Sequence, residues 1–277
     1  MDNQYFLNNG FFIIRNAFSK KLLKEIQNIT NKCIFNIKKK GSPRFNNYKE
    51  FCSSLKKTNN NFFLINTNLQ KSLIYNRIYQ KIFTSKKFYK NITNILGKDL
   101  AYCEEPSILI NLSKKFINKN YYFKDWHQEI WSGSDTSSVI MWTPIFHDNI
   151  KDGQISLIKS SHTWGHIPHR NRSPIELPKK LNIVSPKLNY TDVIIMHSMV
   201  LHKSNLITDQ KYRPRLALAS MLRNFKFTNN KYENNKNWKI FSYSELSMIE
   251  RKLGNVYLSP YRTTDLDQTD FTSGTIE

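Results

Sequence analysis

Asp125-Trp-His-Gln-Glu-Ile-Trp131 is the stretch on which the reading of this chain turns, because it sets His127 and Glu129 two residues apart. In an extended strand, side chains at i and i+2 project to the same face. If 125–131 is a strand, the imidazole and the carboxylate converge on one point. A third ligand must then come from elsewhere, and His202, 75 residues on, is the candidate. Two imidazoles and one carboxylate can grip a divalent metal from one side and leave the other side open. An H-x-E tripeptide alone is weak, since chance supplies many. Its surroundings decide.

Downstream, Val139-Ile-Met-Trp-Thr-Pro144 reads as a buried strand, and Asp152-Gly153 turns into Gln154-Ile-Ser-Leu-Ile158. Next come Lys159-Ser-Ser-His-Thr-Trp-Gly165, Tyr190-Thr-Asp-Val-Ile-Ile-Met196, Leu201-His-Lys-Ser204 and Arg213-Pro-Arg-Leu-Ala-Leu218. The clearest strands are 107–112, 139–142, 154–158, 193–197 and 215–222, with a tight turn at Lys151-Asp-Gly153. Short strands at such spacing predict a closed or double-sheet β architecture, such as a jelly roll.

Upstream the texture is helical. Gly10-Phe-Phe-Ile-Ile14 is a short strand, and Ser19 caps a helix to about Asn36 with Leu22, Leu23, Ile26 and Ile29 at helical spacing. Gly41-Ser-Pro43 breaks the pattern. Further helices are expected at 69–83, with Leu73, Ile74, Ile78 and Ile82 on one face, and at 88–96, ended by Gly97. Ser242-Tyr-Ser-Glu245 fits a capping box for a last helix that Gly254 closes. No repeat or linker interrupts the chain. The expected organisation is one domain, with a helical part over 1–99, a β core over 100–225 and a C-terminal extension over 226–277.

A chain of 277 residues, 39% hydrophobic and 13% aromatic, can bury a sizeable core and is not of disordered composition. No run approaches the roughly 18 apolar residues that span a bilayer. Met1-Asp-Asn-Gln-Tyr-Phe-Leu lacks the basic and apolar regions of a secretory signal. Cys33, Cys52 and Cys103 are odd in number and widely spaced, which suggests reduced thiols in the cytoplasm. The net charge of +21 is mostly Lys spread along the chain beside many Asn and Ile, as codon bias in an A/T-rich genome would give. Lys38–Lys40 and Lys86–Lys87 lack the aromatic interleaving of a stacking surface, which argues against nucleic acid. A solvated surface is the preferred reading, ahead of attraction for an anionic substrate, membrane surface or polymer.

Taken in order, these segments resemble the phytanoyl-CoA dioxygenase family of Fe(II)/2-oxoglutarate oxygenases. The family pattern runs roughly W-H-Q-D, a v-W strand, N-G-x-L, G-S-H, G-D-v, H-x-S and R-x-A. Gly10-Phe-Phe-Ile-Ile-Arg-Asn-Ala-Phe-Ser19 is similar to its opening strand and helix. The resemblance covers about 5–222 and is most specific over 125–218. It implies a double-stranded β-helix, a jelly-roll barrel with helices packed on one side. It implies Fe(II) held by His127, Glu129 and His202, with 2-oxoglutarate and O2 as cosubstrates. One departure is Glu129, where the family usually has Asp; a rotamer change absorbs the extra methylene. Retention of a carboxylate disfavours halogenation, for which Gly or Ala would open a halide site.

The H-x-S signature selects His202 over His197 as the distal ligand. His162, His166 and His169 have metal-like spacing, but their surroundings look like the family's G-S-H turn, and a structural or substrate-side role is preferred; His147 reads as surface. The distal carboxylate of 2-oxoglutarate needs a buried partner, and Arg suits bidentate capture. Arg213 and Arg215 both qualify. Arg213 keeps the commoner spacing from the distal His but precedes Pro214, whereas Arg215 starts the strand and fits R-x-A; Arg215 is favoured. Ser204 could donate to the same cofactor, and by resemblance Trp142 and Gln128 line its pocket, ordinary barrel packing being the rival reading. The expected substrate is a small molecule or a sugar- or lipid-type metabolite, with specificity set by loops near 36–68, 113–124, 163–186 and 225–277. Tyr121, Tyr122, Trp126 and Trp131 either stack on it or pack. The rival readings are an inactive jelly-roll binding module, a zinc hydrolase on the same ligands and, from charge alone, a nucleic-acid demethylase.

Overall fold

The computed structural model describes residues 3–36, 45–57, 59–113, 125–132, 134–146, 153–208, 214–227 and 238–252. Helix α1 (Asn3–Asn9) leads into strand β1 (Phe11–Ile14), then α2 (Lys20–Asn31), α3 (Tyr48–Lys57), α4 (Asn59–Tyr75) and α5 (Lys86–Leu96). Strands follow: β2 (Leu100–Cys103), β3 (Ser107–Asn111), β4 (Val139–Phe146), β5 (Ile155–Ile158), β6 (His169–Arg170), β7 (Ser173–Pro174), β8 (Ile183–Val184), β9 (Val193–His197), β10 (His202–Ser204), β11 (Arg215–Asn224) and β12 (Trp238–Ser242). Helix α6 (Glu245–Lys252) comes last among the described elements.

Ser19 caps α2 as its sequence predicts: the residue is extended, and its Oγ accepts from the Leu22 amide at 3.1 Å. A π-helical turn, Lys32–Asn36, carries the helix to the expected end. The helix expected over 69–83 starts earlier, at Asn59, and breaks at Arg77, whose φ of +49° no helix accommodates. A separate 3₁₀ turn, Tyr79–Ile82, completes the segment. Gly97 ends α5 at φ +78°, a left-handed value that glycine takes without steric cost. The last helix is capped by Ser244, whose Oγ accepts from the Ser247 amide, while Ser242 ends β12 and bonds Tyr89. The N-cap therefore falls two residues later than the expected capping box, and the Ser244 amide donates to Asp99 instead of to a carboxylate of the helix; Gly254 lies outside the described residues, as do Lys151 and Asp152.

Two antiparallel sheets carry the architecture. The larger runs β1-β9-β4-β11-β2-β12, with β3 also pairing β11; the smaller runs β10-β5-β8. Successive side chains on β4, β9 and β11 face opposite ways. Val139, Met141, Ile145, Val193, Ile195, Leu216 and Leu218 join the core beneath the helices. Ile140, Trp142, Ile194, Met196, Ala217 and Ala219 instead meet Ile155 and Leu157 of the smaller sheet. This double burial explains why β4 and β9 read as continuous apolar runs rather than alternating ones. The chain is a double-stranded β-helix, two facing sheets with a helical layer on the outer face of the larger one. A parallel bridge between Ser113 and Ile207 ties the chain after β3 to the chain after β10.

Candidate metal centre and cofactor cavity

His127 and His202 meet as directly opposed residues of an antiparallel pair. The His127 amide donates to the His202 carbonyl at 3.0 Å, and the His202 amide returns the bond at 3.1 Å. Opposed residues in such a pair project to the same face. The two rings therefore sit side by side, with centroids 4.1 Å apart. The segment is not the continuous strand expected over 125–131. Only His127 is bridged, and Glu129–Ser132 is a 3₁₀ turn whose first amide donates to the Ser198 carbonyl. The carboxylate nonetheless reaches back: Glu129 Oε1 lies 3.2 Å from His127 Nε2 and 3.4 Å from His202 Nε2.

Backbone carbonyls set the tautomers. His127 Nδ1 lies 2.7 Å from the Asp125 carbonyl oxygen, and His202 Nδ1 lies 3.0 Å from that of Val200. A carbonyl oxygen can only accept, so each Nδ1 carries the proton and each Nε2 turns a lone pair to the centre. Among the described residues, these three form the one metal-competent group, with ligand atoms within 4.8 Å of one another. Two imidazole nitrogens and one carboxylate oxygen suit Fe(II), and equally zinc.

The open side faces a cavity of about 480 Å³ between the sheets. Arg215, Ser204 and Trp142 line it together with the triad. Arg215 points inward because Leu216 and Leu218 point to the helices. It is 2% exposed; its Nη2 donates to Ser204 Oγ at 3.1 Å, and its guanidinium lies 5.2 Å from the Trp142 ring centre. A cation is thus held against an aromatic face in the same cavity as the triad. Arg213, the alternative partner, lies outside the described residues.

Gln128 does not line the cavity. Pointing opposite to its neighbours, its amide donates to the Gly165 and Met199 carbonyls, and its Oε1 accepts from the Ile167 amide. At 1% exposed, it ties together the loops that follow β5 and β9. Trp126 and Trp131 pack with Ile158, Ile167 and Leu201 rather than facing the cavity. His162, His166 and His169 do not meet as a trio: His162 bonds the Leu7 carbonyl, while His169 meets His166 edge to face at 5.9 Å and stacks on Trp131. His147, Tyr121 and Tyr122 lie outside the described residues. Sequence reasoning overlooked Asn66 and Gln70 of α4, Asn111 of β3 and Arg172, all of which line the cavity. Their only signal was membership of, or closeness to, loops expected to vary.

His197 sits apart from the triad, its ring 5.5 Å from that of His162 and its Nδ1 accepting from the Met199 amide at 3.1 Å. Burial, reinforced by the neighbouring His162, lowers its pKa from 6.5 to about 4. The folded state therefore holds this ring neutral while the unfolded chain takes up a proton. Its contribution to stability is full above pH 6.5 and is lost as the pH falls towards 4. Between pH 7.5 and 5 the cost is about 2 kcal/mol. Urea denaturation at both pH values should show that extra loss in the wild type, and its absence in His197→Asn; parallel losses would refute it.

The sequence model of the phytanoyl-CoA dioxygenase (PhyH) family matches residues 6–214. No curated protein matches the sequence. Solved structures of similar fold include the apo form of the non-heme monooxygenase ThoJ, 13% identical, with a TM-score of 0.57 over 96% of this chain and 100% of that one. The epimerase SnoN, in complex with Fe3+, alpha ketoglutarate and nogalamycin RO, is 11% identical, with a TM-score of 0.54 over 80% of this chain and 81% of its own. EvdO2 from Micromonospora carbonacea var. aurantiaca, complexed with 2-oxoglutarate, is 12% identical, with a TM-score of 0.53 over 88% and 93%. At such identities the likeness is one of fold. The family model spans well over half of the chain and takes in every strand from β1 to β10. By that match, this protein belongs to the phytanoyl-CoA dioxygenase family.

Proposed function

We propose that this protein is an Fe(II)- and 2-oxoglutarate-dependent dioxygenase that hydroxylates a small-molecule, sugar- or lipid-type metabolite. The observation that carries this reading is the placement of a buried arginine, Arg215, in the cavity onto which His127, Glu129 and His202 open. When bound, iron and 2-oxoglutarate supply the oxidising chemistry, using O2 and releasing succinate and carbon dioxide. The chain's part is to bind, orient and exclude water. His127, Glu129 and His202 hold the metal from one side. Arg215 pairs with the distal carboxylate of 2-oxoglutarate, with Ser204 beside it, and Trp142 walls the site with apolar surface.

Anaerobic addition of Fe(II) and 2-oxoglutarate should produce a weak visible charge-transfer band, and exposure to oxygen should produce succinate. Absence of both would sink the reading. The fold is shared with an epimerase, so product mass separates the outcomes: hydroxylation adds one oxygen, and epimerisation leaves the mass unchanged. A zinc hydrolase would use the same three ligands but leaves Arg215 without a task; metal analysis of protein prepared without added zinc tests it. A binding module that has lost turnover is disfavoured because all three ligands are in place. Cytoplasmic location belongs to the same proposal, since Cys33, Cys52 and Cys103 are thiols rather than disulfides. Among the described residues, no helix is long and apolar enough to cross a membrane.

A further inference from the structure

Strands β6 and β7 form a two-stranded hairpin whose loop is Asn171-Arg172. Both residues have left-handed backbones, with φ of +50° and +60°. That pair of values belongs to a type I′ turn, whose second position strongly favours glycine. An arginine there holds a sparsely populated conformation that a bulky side chain resists. The turn would be easier to make without it, yet Arg172 is an exposed residue that lines the same cavity as the triad.

The hairpin is seated on residues contiguous with the proposed ligands. His169 stacks on Trp131 with centroids 4.5 Å apart and planes 26° apart, and Trp131 follows Glu129 by two positions. Just before the hairpin, the Ile167 amide donates to Gln128, which lies between His127 and Glu129. The position of Arg172 relative to the metal centre is therefore set by packing and hydrogen bonds.

The charged residues lining the cavity are Glu105, Glu129, Arg172 and Arg215. Glu129 belongs to the triad and Arg215 to the buried wall with Ser204. Among the described residues, Arg172 makes no ion pair with an acid, Glu105 included. Its planar fork of donors matches a carboxylate or a phosphate. We propose that Arg172 is a specificity-determining residue, and that the primary substrate carries an anionic group, carboxylate or phosphate, which this guanidinium binds. The inference rests on the oxygenase reading for the identity of the reaction but not for its own test.

Phenylglyoxal labelling of metal-free protein, read residue by residue by peptide mass spectrometry, supplies that test. Inorganic phosphate or acetate at millimolar concentration should slow labelling of Arg172 at least about fivefold, as expected of an occupied guanidinium. Labelling of Arg170 and Arg251 should not change. The arm that protects more strongly tells phosphate from carboxylate. Labelling of Arg172 that neither anion slows, or that slows no more than labelling of Arg170, would overturn the proposal. Arg172→Gly adds a second readout: by relieving the left-handed arginine it should raise the thermal midpoint, and a lowered midpoint would assign Arg172 a structural task instead. The charge-transfer experiment on the iron-loaded protein fails or succeeds independently of both.

Discussion

Glu129→Ala lowers Fe(II) affinity at least about 100-fold and takes turnover below detection, since loss even of a group that merely orients a ligand commonly costs 10–100-fold. The structural ground is that Glu129 Oε1 is the oxygen placed between the two Nε2 atoms, at 3.2 and 3.4 Å. Two imidazoles alone leave the metal without the anionic donor that offsets its charge. Anaerobic titration of Fe(II), followed by the charge-transfer band with 2-oxoglutarate, measures the loss, and far-UV circular dichroism should remain that of the wild type. Glu129→Asp is the informative control. Glu129 opens a 3₁₀ turn rather than continuing a strand, so its oxygen reaches back to the histidines. Shortening the arm by one methylene should weaken binding without abolishing it. Wild-type affinity in Glu129→Ala would show that the triad is misassigned.

Arg215→Gln should weaken 2-oxoglutarate binding by roughly 30- to 5000-fold, the range that follows from about 2–5 kcal/mol for truncating one partner of a buried charged pair. Fe(II) binding should be unchanged, because Arg215 is not one of the three ligands. That separation is what distinguishes a cofactor arginine from a structural one. At 2% exposure, the guanidinium lies against Trp142 and donates to Ser204, so its geometry is held before any carboxylate arrives. Arg215→Lys keeps the charge but not the bidentate fork, and should fall between the two. Calorimetric titration of 2-oxoglutarate into the Fe(II)-loaded, oxygen-free protein reads each affinity. Equal affinities in wild type and Arg215→Gln would shift attention to Arg213.

Much of this was legible because the chemistry needs residue types that stand out in a sequence. The strands β4, β9 and β11 announce themselves as apolar runs, since each is buried on both faces. His202 was selectable from its neighbours, and the strand starting at Arg215 aims that residue inward by simple alternation. Other features depend on contacts that no local pattern records. Glu129 follows a turn because its amide is captured by Ser198, a partner remote in sequence. Gln128 faces away from the cavity because three backbone groups from two loops claim its amide. The break at Arg77 and the seat of Arg172 follow from a residue taking a left-handed backbone where glycine would be the usual marker.

The reciprocal hydrogen bonds between His127 and His202 have a thermodynamic consequence. They close a circuit of 75 residues that contains β4, β5 and β9. In an unfolded chain, bringing such distant ends together costs about 4 kcal/mol by the logarithmic law for flexible loops. The denatured protein is therefore a poor chelator, and the ligand set exists only when the sheets have formed. An ion binding there acts as a clasp on the native state alone, adding about 2.7 kcal/mol of stability at a hundredfold excess over its dissociation constant. Metal content and folding thus report on one another.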